Sequence, residues 1–154
     1  MDQKTHKTLF LIHYAIIAGI AVFGSVIYSS AQDFEISYDF DTLLPIIALG
    51  LAFLALISHN LFFKIKLNKI NKSDTVQSKF KQYFIAHIIR LAILEVGALF
   101  NIAMVLMQEN LAHLIIAAVL LFVMLYHKPT KDKIAYALAL TESEKSELFA
   151  SSEV

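Results

Sequence analysis

Long apolar stretches constrain this chain more than any other feature of its sequence. Residues 8–28 carry no charged side chain, and a helix of that length crosses a hydrocarbon core of ~30 Å. Further apolar stretches cover residues 43–63, 83–107 and 111–126, of which the last is the shortest. With 58% hydrophobic and 17% charged residues, the composition is far from that of an average soluble domain. The sequence predicts an all-α polytopic membrane four-helix bundle in residues 1–128.

The distribution of charge orients this bundle. Of the 13 Lys and Arg residues, all but Arg90 lie before the first span, in the loop at 64–81 or after the fourth span. Residues 32–42 carry four acidic side chains and no basic one. Because Lys and Arg are retained in cytoplasmic loops, both termini are predicted to be cytoplasmic. The expected location is a bacterial inner membrane.

The third span, Tyr83 to Met107, contains polar residues that are costly to insert. Arg90 and Glu95 together cost about 5–7 kcal/mol, which the span's Leu, Ile, Phe and Val residues offset by about 6 kcal/mol. This helix is therefore expected to need neighbours that cover its polar groups. Ionisable groups at such depth are functional-site candidates.

Helical periodicity separates these polar residues into two faces. Spacings of four and three place one set along a single stripe that faces a packed partner helix: Tyr83, His87, Arg90, Leu94, Gly97, Asn101, Met104 and Gln108. Glu95 follows Arg90 by five residues, so it lies roughly 140° around the helix. It is expected to face another helix, another subunit or a water-filled path, and not to pair with Arg90 in the same helix.

Three spans each carry a histidine near the predicted cytoplasmic end. His13, His59 and His87 are expected at a depth of ~8 Å, with Asn60 and Arg90 close to the same level. The residues of this layer can act as interhelical hydrogen-bonding groups, as a proton or ion path, or as ligands of haem or a metal. His113 lies at the opposite end of the fourth span and is expected outside the layer.

The remaining segments give weaker signals. Strict alternation of apolar and polar residues predicts an extended segment at 32–42. Pairs of small residues, such as Ala15 with Gly19 and Ala48 with Ala52, favour close helix approach. Residues 129–154 are predicted to be a cytoplasmic amphipathic tail with a short helix, resting on the membrane surface or solvated and partly frayed. Within it, residues 141–144 match a capping box.

One short segment resembles a known family. Residues 92–100, AILEVGALF, resemble the second helix of rotary ATP synthase c subunits, where an A-x-x-E-x-x-A-L-F-like pattern surrounds the ion-carrying carboxylate. The likeness covers these nine residues. It implies that Glu95 is a proton-binding group.

A longer part of the chain resembles a group of small uncharacterised bacterial four-span membrane proteins. The shared features are an R-x-A-x-x-E-x-x-A-L-F span, here Arg90 to Phe100, and a K/R-P-T-K-x-K-I tail, here Lys128 to Ile134. Lys128 stands where arginine is usual. The resemblance extends over roughly residues 80–140 and implies a shared membrane fold without a particular reaction.

These features favour a non-enzymatic role. The chain has no cysteine, and it contains no phosphate loop, nucleophile–base set or zinc signature. We expect an oligomeric or accessory subunit of a membrane complex, with a polar intramembrane interface and no nucleic-acid partner. Its partners are then the lipid bilayer and either itself or another membrane protein.

Two alternatives stay open at this stage. The first is a proton or ion conductor that uses Glu95, with Arg90 and His87 tuning it. The second is a haem-binding electron-transfer subunit through His59 and His87. No cofactor is expected, except haem under the second alternative. The candidate residues for the polar interface or the ion path are Glu95, Arg90, His87, Asn101, His59, Asn60 and His13.

Overall fold

The described part of the chain is helical apart from short connections. The computed structural model describes residues 4–31, 33–37 and 42–149. Six helices form there: α1 (Lys4–Ser30), α2 (Leu43–Leu67), α3 (Val76–Gln108), α4 (Ala112–Tyr126), α5 (Lys131–Ala137) and α6 (Glu142–Phe149). Three of them, α1, α2 and α3, are long and apolar enough to cross a membrane, and α4 with α5 qualifies only as a bent pair. The all-helical prediction is confirmed.

The helices extend past the predicted spans at the lysine-rich end of the molecule, which we call the basic end. α2 continues to Leu67 and α3 already begins at Val76, where the Thr75 hydroxyl accepts a hydrogen bond from the Ser78 N–H at 3.3 Å. The loop predicted at 64–81 is therefore corrected to residues 68–75. Neither extension contains Gly or Pro, so both helices continue beyond the apolar stretch.

The fourth helix is short. α4 has 15 residues, equivalent to roughly 22 Å, which is less than a ~30 Å hydrocarbon core. The chain then turns by 78° into α5. Pro129 lies in this turn, and proline both lacks an N–H and disfavours helical geometry in the preceding residue.

α3 is the central helix, packing against α1, α2 and α4. The stripe predicted on α3 is confirmed, because Tyr83, His87, Arg90, Leu94, Gly97, Asn101 and Met104 are all buried. Its last member, Gln108, is half-buried. The polar side chains of this stripe thus lie inside the chain's own bundle.

Small residues play different roles on the first two helices. Ala48 and Ala52 of α2 are buried, as the small-residue pattern predicts. In contrast, Ala15 and Gly19 of α1 are exposed, so the pattern on α1 does not mark an interface within this bundle. The buried face of α1 carries larger apolar side chains, including Ile17, which remove more surface from water or lipid.

The C-terminal tail packs against the basic end. Ile134, Leu138 and Leu140 are buried in one apolar cluster with Leu9 and Phe80. Both predicted states of the tail, on the membrane surface or solvated, are therefore wrong for these side chains. The bundle offers them an apolar surface of its own, so they are covered by protein.

Polar contacts hold the last helix in place. The Glu144 carboxylate accepts a hydrogen bond from the Thr141 N–H at 2.8 Å, and the Glu144 N–H donates to the Thr141 hydroxyl at 3.3 Å. The predicted capping box is confirmed. The other Glu144 oxygen pairs with the Lys79 ammonium of α3 at 2.7 Å, so the cap also connects α6 to α3.

The opposite end, which we call the acidic end, joins the extended segment to the turn before α4. The Glu35 carbonyl accepts from the Leu111 N–H at 2.9 Å, and the Asn110 amide bonds both the N–H and the C=O of Ser37. These contacts support the extended prediction for residues 35–37, whereas Asp33 lies in a turn in which the Phe34 N–H donates to the Ala31 carbonyl at 3.1 Å. Residues 32 and 38–41 of the predicted segment lie outside the described residues.

Candidate functional site

Four elements bring polar side chains together near the basic end. The predicted layer is present, with His13 on α1, His59 on α2, and His87 and Arg90 on α3 all buried. His127, which follows α4, joins them. The structure divides this layer into two groups, a histidine pair and an arginine network.

The histidine pair connects α1 to α3. His13 Nδ1 lies 3.1 Å from His87 Nε2, and neither side chain is exposed. The Tyr83 ring stacks on His87 with its centroid 5.9 Å away. The outer nitrogens, His13 Nε2 and His87 Nδ1, are buried and have no hydrogen-bond partner among the described residues. Buried polar atoms without a hydrogen-bond partner are uncommon in protein interiors.

In the arginine network, hydrogen-bond direction assigns one tautomer to each ring. His59 Nδ1 lies 3.0 Å from the Ala55 carbonyl oxygen, which can only accept, so Nε2 is the acceptor of a neutral His59. His127 Nε2, 3.2 Å from His59 Nε2, therefore donates. His127 Nδ1 then accepts from Arg90 Nη1–H at 3.2 Å. The hydrogen bonds thus run in one donor-to-acceptor direction, from Arg90 through the neutral imidazoles of His127 and His59 to the Ala55 carbonyl.

Arg90 makes two further contacts in this network. Its Nη2 donates to the Asn60 side-chain oxygen at 3.2 Å. Its guanidinium carbon lies 3.3 Å from the centroid of the Phe63 ring, a cation–π contact worth about 2 kcal/mol when desolvated. Arg90 Nε is buried and has no hydrogen-bond partner among the residues that the structure describes. Arg90 is thus held inside its own chain.

His127 is the member of the layer that sequence reasoning missed. The sequence indicates only a residue that closes the fourth span. The structure places it at the C-terminal cap of α4, within hydrogen-bond distance of His59 and Arg90. The sequence signal that could have identified His127 was its position at the basic end, level with the predicted layer.

A second polar group lies closer to the acidic end. The Asn101 side-chain N–H donates to the carbonyls of Ala48, at 3.2 Å, and Gly97, at 2.9 Å. Its oxygen therefore faces His113 Nδ1 at 3.1 Å, so His113 carries its hydrogen on Nδ1. Asn101 joins three helices, and His113 lies outside the histidine layer as predicted.

Glu95 has a different environment from every other candidate. It is half-buried, at the edge of a face of α3 on which Ala92, Leu99 and Ala103 are exposed. Among the described residues it has no hydrogen-bond or ion-pair partner, since the ion pairs there are Lys79–Glu144 and Lys145–Glu142. The predicted separation of Glu95 from Arg90 is confirmed.

The geometry of the layer gives no support to cofactor ligation. His59 and His87 each direct Nε2 at another histidine ring, and a haem iron would have to displace those contacts. Within residues 4–31, 33–37 and 42–149, no group of three or more His, Cys, Asp or Glu side chains is placed to hold a metal ion.

No family model, curated protein or solved structure matches the chain. The class defined by the fold is therefore an all-helical protein with three or four helices suited to membrane residence.

Proposed function

We propose that this chain is a four-span inner-membrane protein that acts as a non-enzymatic subunit of a membrane assembly. Large apolar side chains on the outside of every long helix support the membrane location. Leu11 is 70% exposed, Phe53 62%, Val96 62% and Phe122 69%. Soluble monomers rarely show so much apolar surface, and lipid acyl chains cover it without cost.

The charge distribution supports the proposed orientation. Lys69 and Lys72 lie in the 68–75 loop, and Lys128 follows α4 at the same basic end. Asp33 and Glu109 lie at the acidic end. With the basic end in the cytoplasm, both termini are cytoplasmic under the positive-inside rule.

The observation that carries the assembly role is the unpartnered Glu95 on the outer edge of α3. A carboxylate at this depth costs roughly 2.5–3.5 kcal/mol when it faces lipid. A second helix that supplies a hydrogen-bond donor or a cation removes that cost. The exposed Ala92 and Ala103 on the same face allow such a helix to approach closely.

The internal position of Arg90 limits what the partner can be. Arg90 is engaged with His127 and Asn60 of its own chain, so a second copy would not offer it to Glu95. A two-fold contact between copies would place two Glu95 side chains opposite each other, and they would have to share a proton. A different membrane protein would supply the donor or cation directly.

Native mass spectrometry after gentle extraction tests this role. We expect an oligomer or a complex for the wild type, and for Glu95→Gln a weakening of association by about tenfold, since one charge-assisted hydrogen bond becomes neutral. Glu109→Gln, which changes an exposed glutamate outside the spans, is the matched control and should assemble normally. A monomeric wild type would sink the assembly role.

Proton or ion conduction is the second candidate, and the unfilled nitrogens of His13 and His87 are the observation that favours it. Imidazoles with a free nitrogen can take up and release protons. In this role Glu95 carries the ion, with Arg90 and His87 tuning it, as the likeness to c subunits implies. Glu95→Gln should then abolish proton flux into liposomes while leaving assembly unchanged. We also propose that the chain shares its fold with the small four-span bacterial membrane proteins that it resembles.

A further inference from the structure

Arg90 is a buried cation for which the described chain provides no counter-ion. Arg90 is only 6% exposed. The ion pairs of the described residues are Lys79–Glu144 and Lys145–Glu142, and neither involves Arg90. Buried charges are normally paired with an opposite charge, so the absence of a carboxylate here needs an explanation.

The neighbours of Arg90 accept hydrogen bonds from its guanidinium, but they carry no negative charge. Asn60 and His127 are neutral acceptors, and Phe63 offers only the face of its ring. Arg90 Nε–H has no acceptor within the described part of the chain. A full positive charge therefore remains uncompensated among these groups.

The wider surroundings add positive charge. Besides Arg90, Lys133 is a cation close enough to His87 and His127 to act on them electrostatically. Lys133 extends from α5, donates to the Tyr126 carbonyl oxygen at 2.5 Å and lies 4.9 Å from the centroid of the Tyr126 ring. The field at this end of the bundle favours an anion.

The position of these groups shows where an anion can enter. Asn60 and His127, the two side chains that accept hydrogen bonds from Arg90, are only half-buried, so they reach towards the outside of the bundle. Tyr126 is 74% exposed, as aromatic residues are at the level of lipid headgroups. Basic pockets between spans at the cytoplasmic surface are typical sites for anionic headgroups.

We propose that the basic end binds a phosphate-bearing anion between Asn60 and His127, with Arg90 as the inner cation and Lys133 as the outer one. The phosphate oxygens accept from the Arg90 guanidinium and replace one of its two neutral acceptors. A guanidinium suits this role because its donors match phosphate oxygens in pairs. The site goes beyond the assembly role and does not depend on it, because Glu95 is no part of it.

Two sources can supply such a group, an anionic phospholipid or free phosphate. The protein in a neutral detergent is first titrated with phosphatidylglycerol and with phosphatidylcholine of the same acyl chains, and retained lipid is measured by native mass spectrometry. In parallel, Tm is followed against inorganic phosphate and against sodium chloride at equal ionic strength. We expect selective retention of one phosphatidylglycerol, or a saturable rise in Tm with phosphate.

Three variants separate a specific site from general attraction to a basic surface. Arg90→Gln should weaken binding by about tenfold or more, as expected for the loss of a charge-assisted contact. Lys133→Gln should weaken it to a smaller extent, and it provides the test if Arg90→Gln does not fold. Lys69→Gln, an exposed lysine in the 68–75 loop, should leave binding unchanged.

The outcomes identify the source or reject the site. Selective lipid retention without a phosphate effect identifies a lipid headgroup, and a saturable phosphate effect alone identifies a free anion. No selectivity in either assay with the wild type overturns the proposal. Equal losses in Lys69→Gln and Lys133→Gln also overturn it, because they would show attraction by net charge only. Neither result bears on Glu95 and assembly.

Discussion

At the scale of single residues, the polar side chains are held by hydrogen bonds in which each contact fixes the donor and the acceptor of the next one. Arg90, His127 and His59 form one chain whose direction is fixed by the Ala55 carbonyl. Protonation of either imidazole would put a second N–H opposite an existing donor. The network therefore holds with both imidazoles neutral, and it carries a single charge on Arg90.

At Gly97, side chains of both α2 and α4 lie close to α3. A Cβ at this position would lie 3.1 Å from the Ala55 Cβ and 3.2 Å from the Leu120 Cδ1. The Ala55 Cβ is attached directly to the backbone of α2, so it cannot move without the helix. We expect Gly97→Ala to destabilise the bundle by about 1–3 kcal/mol, measured as a lower Tm in detergent.

Gly19 provides the matched control for that substitution. A Cβ built on Gly19 has nothing within 4 Å, so Gly19→Ala should be neutral or stabilising by up to about 1 kcal/mol through helix propensity. Equal Tm values for the two alanine variants would show that helix contact at Gly97 is not close.

At the scale of elements, the end of α5 contains a strained residue. Ala139 has φ of 48°, and the Leu140 N–H bonds the Ala135 carbonyl while the Ala139 N–H bonds the Tyr136 carbonyl, as in a Schellman motif. Glycine avoids the Cβ strain of this conformation. We expect Ala139→Gly to stabilise the tail by about 0.5–1 kcal/mol. Ala137→Gly, inside α5, should destabilise it by a similar amount, and the opposite order of Tm values would contradict this account.

The docking of α6 should depend on pH at acidic values. The Lys79 ammonium and the Thr141 N–H lower the pKa of the Glu144 carboxyl from 4.5 to about 2. Since the pKa is lower when α6 is docked, the contact contributes fully above pH 4.5 and is lost as the pH falls towards 2. A nitroxide attached at Ser146→Cys reports this by electron paramagnetic resonance, because the chain has no other cysteine.

The control for that experiment removes the carboxylate. Glu144→Gln in the same labelled background should give a mobile α6 at neutral pH, with little further change on acidification. A wild-type spectrum that already loosens near pH 6, or a Glu144→Gln spectrum that stays immobile, would show that other contacts dock the helix.

At the scale of the whole molecule, the proposed topology places the two ends of the bundle on opposite sides of a membrane. Asp33, Ser73 and Ser146 are exposed, and a cysteine at each would be unique in the chain. In intact spheroplasts we expect a membrane-impermeant maleimide to label Asp33→Cys. Ser73→Cys and Ser146→Cys should be labelled only after lysis. Labelling of all three in intact spheroplasts, or the reverse pattern, would contradict the proposed orientation.

The sequence by itself determined the helical class, the buried stripe of α3 and the capping box of α6. Each of these depends on local spacing, because a helix repeats every 3.6 residues and a cap spans four. The polar layer was also predictable, since His13, His59 and His87 each lie near the same end of a span. The angle around the helix between Arg90 and Glu95 was enough to predict that the two side chains do not pair.

Only the tertiary structure decided which polar groups meet. Spacing gives the face on which a residue lies, but the partner depends on how neighbouring helices rotate and end. Helix packing brought His127, at the end of α4, to Arg90, and the apolar surface of the basic end covered Ile134 and Leu138. The same packing gave Arg90 its acceptors Asn60 and His127 and left Glu95 without a partner among the described residues, because only one face of α3 is covered by the other helices.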